Sequence, residues 1–443
     1  MNQFSRLRTQ VQKHFRTRMG NFQFVSANLF IMFSTFVLMP TVLKNYGVEY
    51  LGLFSLVLNI TTIIPMLDFG YANSISTFVS RNKNYKILFG DRSQIRLNFL
   101  SLPIICIIVI TALGLENLEL IHTFLDGILS ISEIRIIMLA MASHASMLII
   151  FNVAHKIRIA MNLYNLSSKI LFLNSLLVLF CSSLSILLQK SFLVFILTYL
   201  FSSWPINLFY LSKMLQSIRG ENTEHPISAV NDGYLPEKFM SLNFTFFVVQ
   251  LSSIISFQLD NFVVAKYLSL QDVALYSSAT KFISVPISIF ASYSLPIWTE
   301  TSRGSFGKNQ IMIFGNLSKI LKKRVLTMVP IAMICFISLP QIIKYWSSDN
   351  LHLSIQMTFT LVCWLFISVI TQPIAMATNG MFFQKFVLAS GSIGAFINIA
   401  VTVYLCKNYD LISGPVIGSI VAQIASSIIP FLYIQWKNRN YET

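Results

Sequence analysis

Charge is the scarcest property of this 443-residue sequence: Asp, Glu, Lys and Arg supply 11% of it, against about 25% in an ordinary soluble domain. A soluble fold could not hide what replaces them, since 55% of the chain is hydrophobic and 13% aromatic. Acidic residues are fewest, 17 against 32 Lys and Arg. The five cysteines, Cys106, Cys181, Cys335, Cys363 and Cys406, show no CxxC and no Cys/His spacing, which argues against a disulfide framework or a zinc site and leaves them as small buried hydrophobes. GxxxxGK[ST], HExxH and GxSxG are all missing, as is any hydrophilic stretch long enough to fold into a catalytic domain. The sequence therefore offers no catalytic residue, no metal ligand and no cofactor site, and an enzyme is not expected. Polar and apolar residues do not alternate over ten-residue stretches, which excludes a membrane β-barrel.

What is present is a series of apolar blocks of about 20 residues, the length a helix needs to cross a hydrocarbon core. They predict an all-α integral membrane protein of about twelve transmembrane helices, at 22–43, 50–79, 97–115, 135–153, 168–188, 191–211, 240–264, 273–298, 325–343, 354–378, 382–405 and 412–435. The first block, Phe22 to Leu43, follows a basic segment as a signal peptide would, but it is span-length and lacks a small-residue cleavage site, so an uncleaved first span is expected.

In a soluble protein a net charge of +15 would suggest nucleic acid as partner. Here the basic residues sit mostly between spans, and their placement points to topology instead. Alternate connecting segments hold 25 Lys and Arg, the opposite set five, and Arg135 and Lys281 lie inside spans. Basic residues near span ends stay cytoplasmic, so both termini are predicted to be cytoplasmic and nucleic acid is not a partner. The acidic segment with Glu116, Glu119, Asp126 and Glu133 contains no Lys or Arg, which fits the outer side.

The chain also repeats itself. Lys44 to Ser55 lies over Lys266 to Ser277 at an offset of 222, Pro65 over Pro286 at 221, and Phe89 to Ile95 over Phe314 to Ile320 at 225. A shared offset near half the chain implies duplication of a six-span unit, and an even number of spans per unit makes the two halves parallel repeats around a central cavity. The halves are placed at 1–220, with a basic amphipathic N-terminal segment, and 221–443. A linker at about 212–239 joins them and carries Gly220, Pro226, Gly233 and Pro236. The N-terminal segment (Phe4, Leu7, Val11, Phe15) and the segment 311–321 (Ile311, Phe314, Leu317, Leu321) have one apolar face each and are expected to lie on the inner leaflet, with membrane lipids as partners.

A charge inside a span is costly, so each needs an account. Asp260 and Lys281 fall at similar depths on adjacent spans, which leaves two readings: a structural ion pair, or cavity residues in which Lys281 meets a substrate phosphate and Asp260 takes a coupling proton or ion. Their equivalents in the first half are Leu38 and Asn59. Asp68, near the cytoplasmic end of the second span, is a second ion-coupling candidate, or a residue of the interface. Asn28, Asn73, Asn261 and His144 are further cavity candidates, with helix-to-helix hydrogen bonding as the plainer alternative. Pro65 and Pro286, equivalent across the repeat, are candidate hinges, although prolines also kink static bundles. Two parallel six-span halves without an energy-coupling domain are the architecture expected of a secondary transporter working by alternating access.

Gly47-Val-Glu-Tyr-Leu-Gly-Leu-Phe, Asp68-Phe-Gly-Tyr-Ala-Asn-Ser, Leu259-Asp-Asn-Phe-Val-Val-Ala-Lys and Val273-Ala-Leu-Tyr-Ser-Ser-Ala-Thr-Lys281 resemble the polysaccharide flippases of the O-antigen (Wzx) type. These belong to the multidrug/oligosaccharidyl-lipid/polysaccharide exporter superfamily. The resemblance implies a bacterial inner-membrane protein that flips an undecaprenyl-pyrophosphate-linked oligosaccharide from the cytoplasmic to the periplasmic leaflet, in O-antigen, lipopolysaccharide or other surface polysaccharide biosynthesis. It also implies coupling to a proton or sodium gradient, with a polysaccharide polymerase and a chain-length regulator as possible partners. Asp260 and Lys281 match charged positions common in that family. Intramembrane cations are few, essentially Lys281 with Arg18 or Arg135 at the rims, which points to a neutral or weakly acidic glycan. The alternatives are a multidrug or toxin extruder of the same fold and an integral-membrane polysaccharide polymerase. The polymerases resemble this chain in span number but carry a large outer loop with catalytic arginines, which has no counterpart here.

Overall fold

The structure is a computed structural model that describes residues 26–27, 29–82, 121–122, 127–161, 163–220, 236–294, 297, 310–380, 384–429 and 431–432. The predicted third span, the N-terminal amphipathic segment, most of the linker, Cys106 and the candidate Asn28 lie outside those residues. The helices, in chain order, are α1 (Leu29–Tyr46), α2 (Val48–Ile63), α3 (Tyr71–Asn82), α4 (Ile131–Ala160), α5 (Tyr164–Leu187), α6 (Phe192–Phe201), α7 (Trp204–Gly220), α8 (Pro236–Phe257), α9 (Asp260–Tyr267), α10 (Leu270–Ser292), α11 (Gln310–Trp346), α12 (Ile355–Gly380), α13 (Gln384–Tyr409) and α14 (Gly414–Gln423). No strand occurs among the described residues. Among the described residues, ten helical segments are long and apolar enough to cross a membrane, and Gly414–Ile428 is a shorter apolar helix. Each falls on a predicted span, so the about twelve expected spans are accounted for apart from the one that is not described.

Three helix starts are capped by the sequence itself. Ser130 and Glu133 close a capping box at α4, Ser191 accepts from the Val194 amide at α6, and Ser269 accepts from the Asp272 amide at α10, each satisfying amides the helix leaves open. The second span departs from its prediction as one helix over 50–79. It ends at Ile63, continues as a 3-10 turn over Ile64–Leu67, and restarts as α3. Pro65 supplies no N–H to the helical ladder, and the backbone reverses through positive φ at Phe69 and Gly70.

The chain divides into two compact units, Met1–Asn45 with Leu67–Phe247 and Tyr46–Met66 with Val248–Thr443. In the first unit α4 packs on α3, α5 and α6; Phe30 of α1 meets Phe172 of α5 at a centroid distance of 4.6 Å. The second unit includes α2, because α2 pairs along α10.

That pairing carries the signature of the internal repeat. Val48 and Leu270, which open α2 and α10, are 222 residues apart. Ser277 Oγ donates to Ser55 Oγ at 2.6 Å, and Gln271 Nε2 donates to Glu49 Oε1 at 3.4 Å. Both pairs join residues that the 222-residue offset makes equivalent. Contact between equivalent positions is what an approximate two-fold axis running between the helices demands. Gly52 permits the approach: a Cβ there would stand 2.2 Å from the Leu270 carbonyl oxygen.

One expectation is corrected. Segment 311–321 does not lie apart on the membrane surface but belongs to α11, an unbroken 37-residue helix. Leu317 is 2% exposed and packs with Ile374, Ala377 and Phe431, with Leu321 beside them. At Leu317 and Leu321 the apolar stripe read as a lipid-facing surface is a helix-packing surface.

Candidate functional site

The seventh span is broken, within the second unit, without a glycine or proline. α8 stops at Phe257, Gln258 and Leu259 leave the helix, and α9 begins at Asp260. Carbonyls near the end of α8 then lack their normal i+4 amide donors, and side chains from neighbouring helices replace them. Asn59 Nδ2 of α2 donates to the Gln258 carbonyl at 3.3 Å, and Asn398 Nδ2 of α13 donates to the Ser256 carbonyl. Thr62 Oγ1 fixes the Gln258 side chain by donating to its Oε1 at 2.9 Å. Asn398 is fully buried and is held in turn, its Oδ1 accepting from Thr402 Oγ1 at 2.9 Å and its Nδ2 reaching Ser419 Oγ at 3.2 Å. Interrupted helices with side-chain-satisfied ends are the form that irregular backbone takes at membrane depth.

Asp260 opens α9, where its negative charge lies favourably at a helix N-terminus. It is 5% exposed and its Oδ2 accepts from the Tyr276 hydroxyl at 2.9 Å. Asn261 beside it is equally buried, and its Oδ1 has no hydrogen-bond partner. Lys281 lies five residues beyond Tyr276 on α10, about 140° further round the helix. It shares a face instead with Ser277, Ser284 and Ser288, spaced at i−4, i+3 and i+7.

Ser284 and Ser288 line a pocket of about 390 Å³, together with Trp364, Ser368, Thr371 and Gln372. It adjoins a second of about 200 Å³ beneath the break in the seventh span, which is lined by Ser252, Ser253, Ser256, Asn398 and others. Phe257, Ala375, Gln423, Ser426 and Ser427 line both. Ser426 and Ser427 sit in a π-helical turn, Ile424–Ile428, an irregularity frequent at functional sites. Among the described residues, no charged side chain lines either pocket. Several of the wall hydroxyls donate to carbonyls of their own helix, as Ser252 does to Val248 and Ser284 to Thr280, and so turn acceptor lone pairs outward.

Arg324 stands just before the predicted span 325–343, as a topology-setting basic residue would, yet it is 7% exposed. Its Nη1 donates to the Val369 carbonyl at 3.2 Å, and its Nη2 donates to Ser294 Oγ at 2.9 Å and the Phe290 carbonyl at 3.4 Å. Val369 is the i−4 residue of Pro373, so its carbonyl is the one that proline leaves without a partner. Phe290 belongs to the last turn of α10, and its carbonyl also accepts from the Ser294 hydroxyl at 2.9 Å. The guanidinium thus supplies the hydrogen bond that α12 lacks at Pro373 and ties α11 to the end of α10. The spacing Val369 to Pro373 was visible in the sequence; which cation meets it was not. Arg324→Met is expected to destabilise the detergent-solubilised protein by about 1–3 kcal/mol, the cost of an unsatisfied buried acceptor. The loss should shrink by about 1 kcal/mol when Pro373→Ala restores an amide to Val369. Equal losses in both backgrounds, read by thermal unfolding, would show that the guanidinium is not replacing the missing bond.

The remaining predicted residues fall elsewhere. Asp68, fully buried in the first unit, accepts from the Gly70 amide at 3.1 Å and the Ala72 amide at 2.8 Å, and Lys156 of α4 lies close enough to feel its charge. His144 is buried, and its Nδ1 accepts from the Trp204 indole at 3.1 Å, tying α4 to α7. Asn73 is partly buried on α3. Pro65 lies in the 3-10 turn that ends α2 and Pro286 inside α10, so the equivalent prolines occupy different local structures. The structure brings Asp260 and Asn261 together, with Lys281 on the next helix; Asp68, Asn73 and His144 belong to the other unit.

No protein-family profile and no curated protein sequence matches the chain. Solved structures do. An inward-facing multidrug resistance MATE family transporter of the MOP superfamily matches with a TM-score of 0.68 over 91% of this chain and 93% of its own, at 14% identity. An outward-facing one matches at 0.62 over 95% and 96%, with 16% identity. A MOP superfamily transporter from Pyrococcus furiosus, described as having a reverse polarity of binding pocket that suggests a different function, matches at 0.60 over 97% and 96%, with 14% identity. The chain is a multi-pass, all-helical membrane protein. Its fold is that of the MATE transporters of the MOP superfamily, and none of these neighbours is an enzyme.

Proposed function

We propose that this protein is a secondary transporter that flips an undecaprenyl-pyrophosphate-linked oligosaccharide from the cytoplasmic to the outer leaflet of a bacterial inner membrane. The halves at 1–220 and 221–443 alternate access, both termini are cytoplasmic, and a proton or sodium gradient drives the cycle through Asp260 or Asp68. The carried unit then goes to surface polysaccharide assembly, with a polymerase and chain-length regulator as downstream partners.

The observation that carries this reading is the position of Lys281. It is a cation on the helical face that, about one turn further on, lines an uncharged hydroxyl- and amide-rich pocket. A phosphate needs the first and a neutral glycan the second. The extruder reading draws equally on the fold, but a cationic drug needs an available carboxylate. The buried carboxylates among the described residues are Asp68 and Asp260. One accepts two backbone amides and the other a tyrosine hydroxyl. Reconstitution of the purified chain with a lipid-linked glycan is the experiment that tests the proposal, and its outcomes are set out at the end of the Discussion.

A further inference from the structure

Trp364 and Gln372, which line the larger pocket, each hold a polar atom that has no partner. The Trp364 indole nitrogen is a donor and Gln372 Oε1 an acceptor, and each is buried without a hydrogen bond. Gln372 is nonetheless fixed, since its Nε2 donates to the Ile287 carbonyl at 3.5 Å, which leaves Oε1 as its open end. A buried polar atom without its hydrogen bond is costly to the fold. An unpaired donor and an unpaired acceptor just behind the wall of one uncharged pocket match a chemical group that is itself both, which is a hydroxyl, once the two side chains turn toward it. Around them the wall adds acceptor oxygens, as the Gln423 Oε1 does where it already takes hydrogen bonds from Ser368 at 3.1 Å and Thr371 at 3.4 Å. A carboxylate or ammonium entering here would find no countercharge, and unpaired charge is expensive to bury. At about 390 Å³ the pocket falls within the range of small-molecule sites, about 300–1,000 Å³.

We infer that the pocket formed by α10, α12, α14 and the π-helical turn seats an uncharged sugar residue, whose hydroxyls accept from the Trp364 indole and donate to Gln372 Oε1. This deepens the flippase reading and rests on it: the sugar is part of the carried oligosaccharide, and its phosphates remain at Lys281. Selection for neutral sugars would then reside inside the second unit.

The test uses the full chain in phosphatidylethanolamine/phosphatidylglycerol nanodiscs, probed with free neutral tetrasaccharides of hexose and N-acetylhexosamine and with uronic-acid-containing counterparts. A saturable change in tryptophan emission is expected with a neutral probe, at least about tenfold weaker with its acidic counterpart, and lost in Trp364→Phe. Gln372→Leu is expected to weaken neutral-probe binding about tenfold, read by the same Trp364 emission. Because Trp364→Phe deletes an unpartnered buried donor and no hydrogen bond, that variant without ligand should unfold at the wild-type temperature or above it, an outcome that a supporting role for the indole nitrogen would reverse. Equal binding by wild type and Gln372→Leu would mean that water serves these atoms, and would overturn the inference. So would preference for the acidic probes, or no saturable signal from any neutral probe while lipid-linked glycan is still flipped. Binding without flipping would keep the pocket and remove the flippase reading.

Discussion

Lys281→Ala is expected to cut export of the lipid-linked oligosaccharide by about tenfold or more while the protein still inserts and accumulates. A charge-assisted hydrogen bond to phosphate contributes about 1.5–3 kcal/mol, and 1.4 kcal/mol is a factor of ten. Lys281→Arg, which keeps the cation and reaches a phosphate with two nitrogens, should retain most activity. Lys281→Asn is the sharper variant, because asparagine is what the first half carries at the equivalent position, Asn59. It makes the halves alike without leaving a hole, and it should fail as alanine does. The measurement is surface glycan display, together with the level of lipid-linked repeat retained on the cytoplasmic side. Full display in Lys281→Ala would remove Lys281 from the substrate path.

Gly70→Ala is expected to be the most damaging Gly→Ala change among the described glycines, lowering stability by about 3 kcal/mol or more. Gly70 has φ +77°, and a Cβ there would stand 2.2 Å from the Asn243 carbonyl oxygen and 2.8 Å from Phe246 Cβ and the Phe247 amide. The left-handed conformation alone costs a non-glycine residue about 1–3 kcal/mol, and overpacking adds about as much. Two contacts of the same turn compete with any relaxation: Asp68 grips the amides of Gly70 and Ala72, and Phe69 stacks on Phe247 at 5.0 Å. Asp68→Asn keeps part of the cap and should cost about 1 kcal/mol. Thermal unfolding in detergent separates the two. A Gly70→Ala protein as stable as wild type would mean that the approach of this turn to α8 is not as described.

Asp68-Phe-Gly shows what could and could not be read from the sequence. The motif could be singled out, and Asp68 read as a costly charge, because charge at membrane depth is rare. Its use as a cap for a new helix could not be read, since hydropathy runs on through 64–79 and a 3-10 turn leaves no apolar period. The 222-residue offset was legible from a few loose identities, and the structure gives it a physical form, with Ser55 and Ser277 touching across the pairing of α2 and α10. The break in the seventh span was hidden because Gln258 and Leu259 are neither glycine nor proline. Its bonds come from Asn59 and Asn398, distant in sequence, and no local pattern forecasts a long-range donor. Arg324 was missed for a related reason. A basic residue at the edge of an apolar block counts toward topology, and only the packed structure shows its guanidinium directed inward, to the carbonyl that Pro373 leaves open.

The central claim is that this fold carries a lipid-linked oligosaccharide, and reconstitution tests it most directly. The purified chain is placed in sealed liposomes that hold undecaprenyl-pyrophosphate-linked neutral oligosaccharide in the inner leaflet, under an imposed proton or sodium gradient. Arrival of glycan at the outer leaflet is followed with a membrane-impermeant lectin. The expected result is gradient-dependent exposure of the glycan, abolished by Lys281→Ala, with no comparable transport of a cationic dye. Transport of the dye while the lipid-linked glycan stays in place would contradict the assignment.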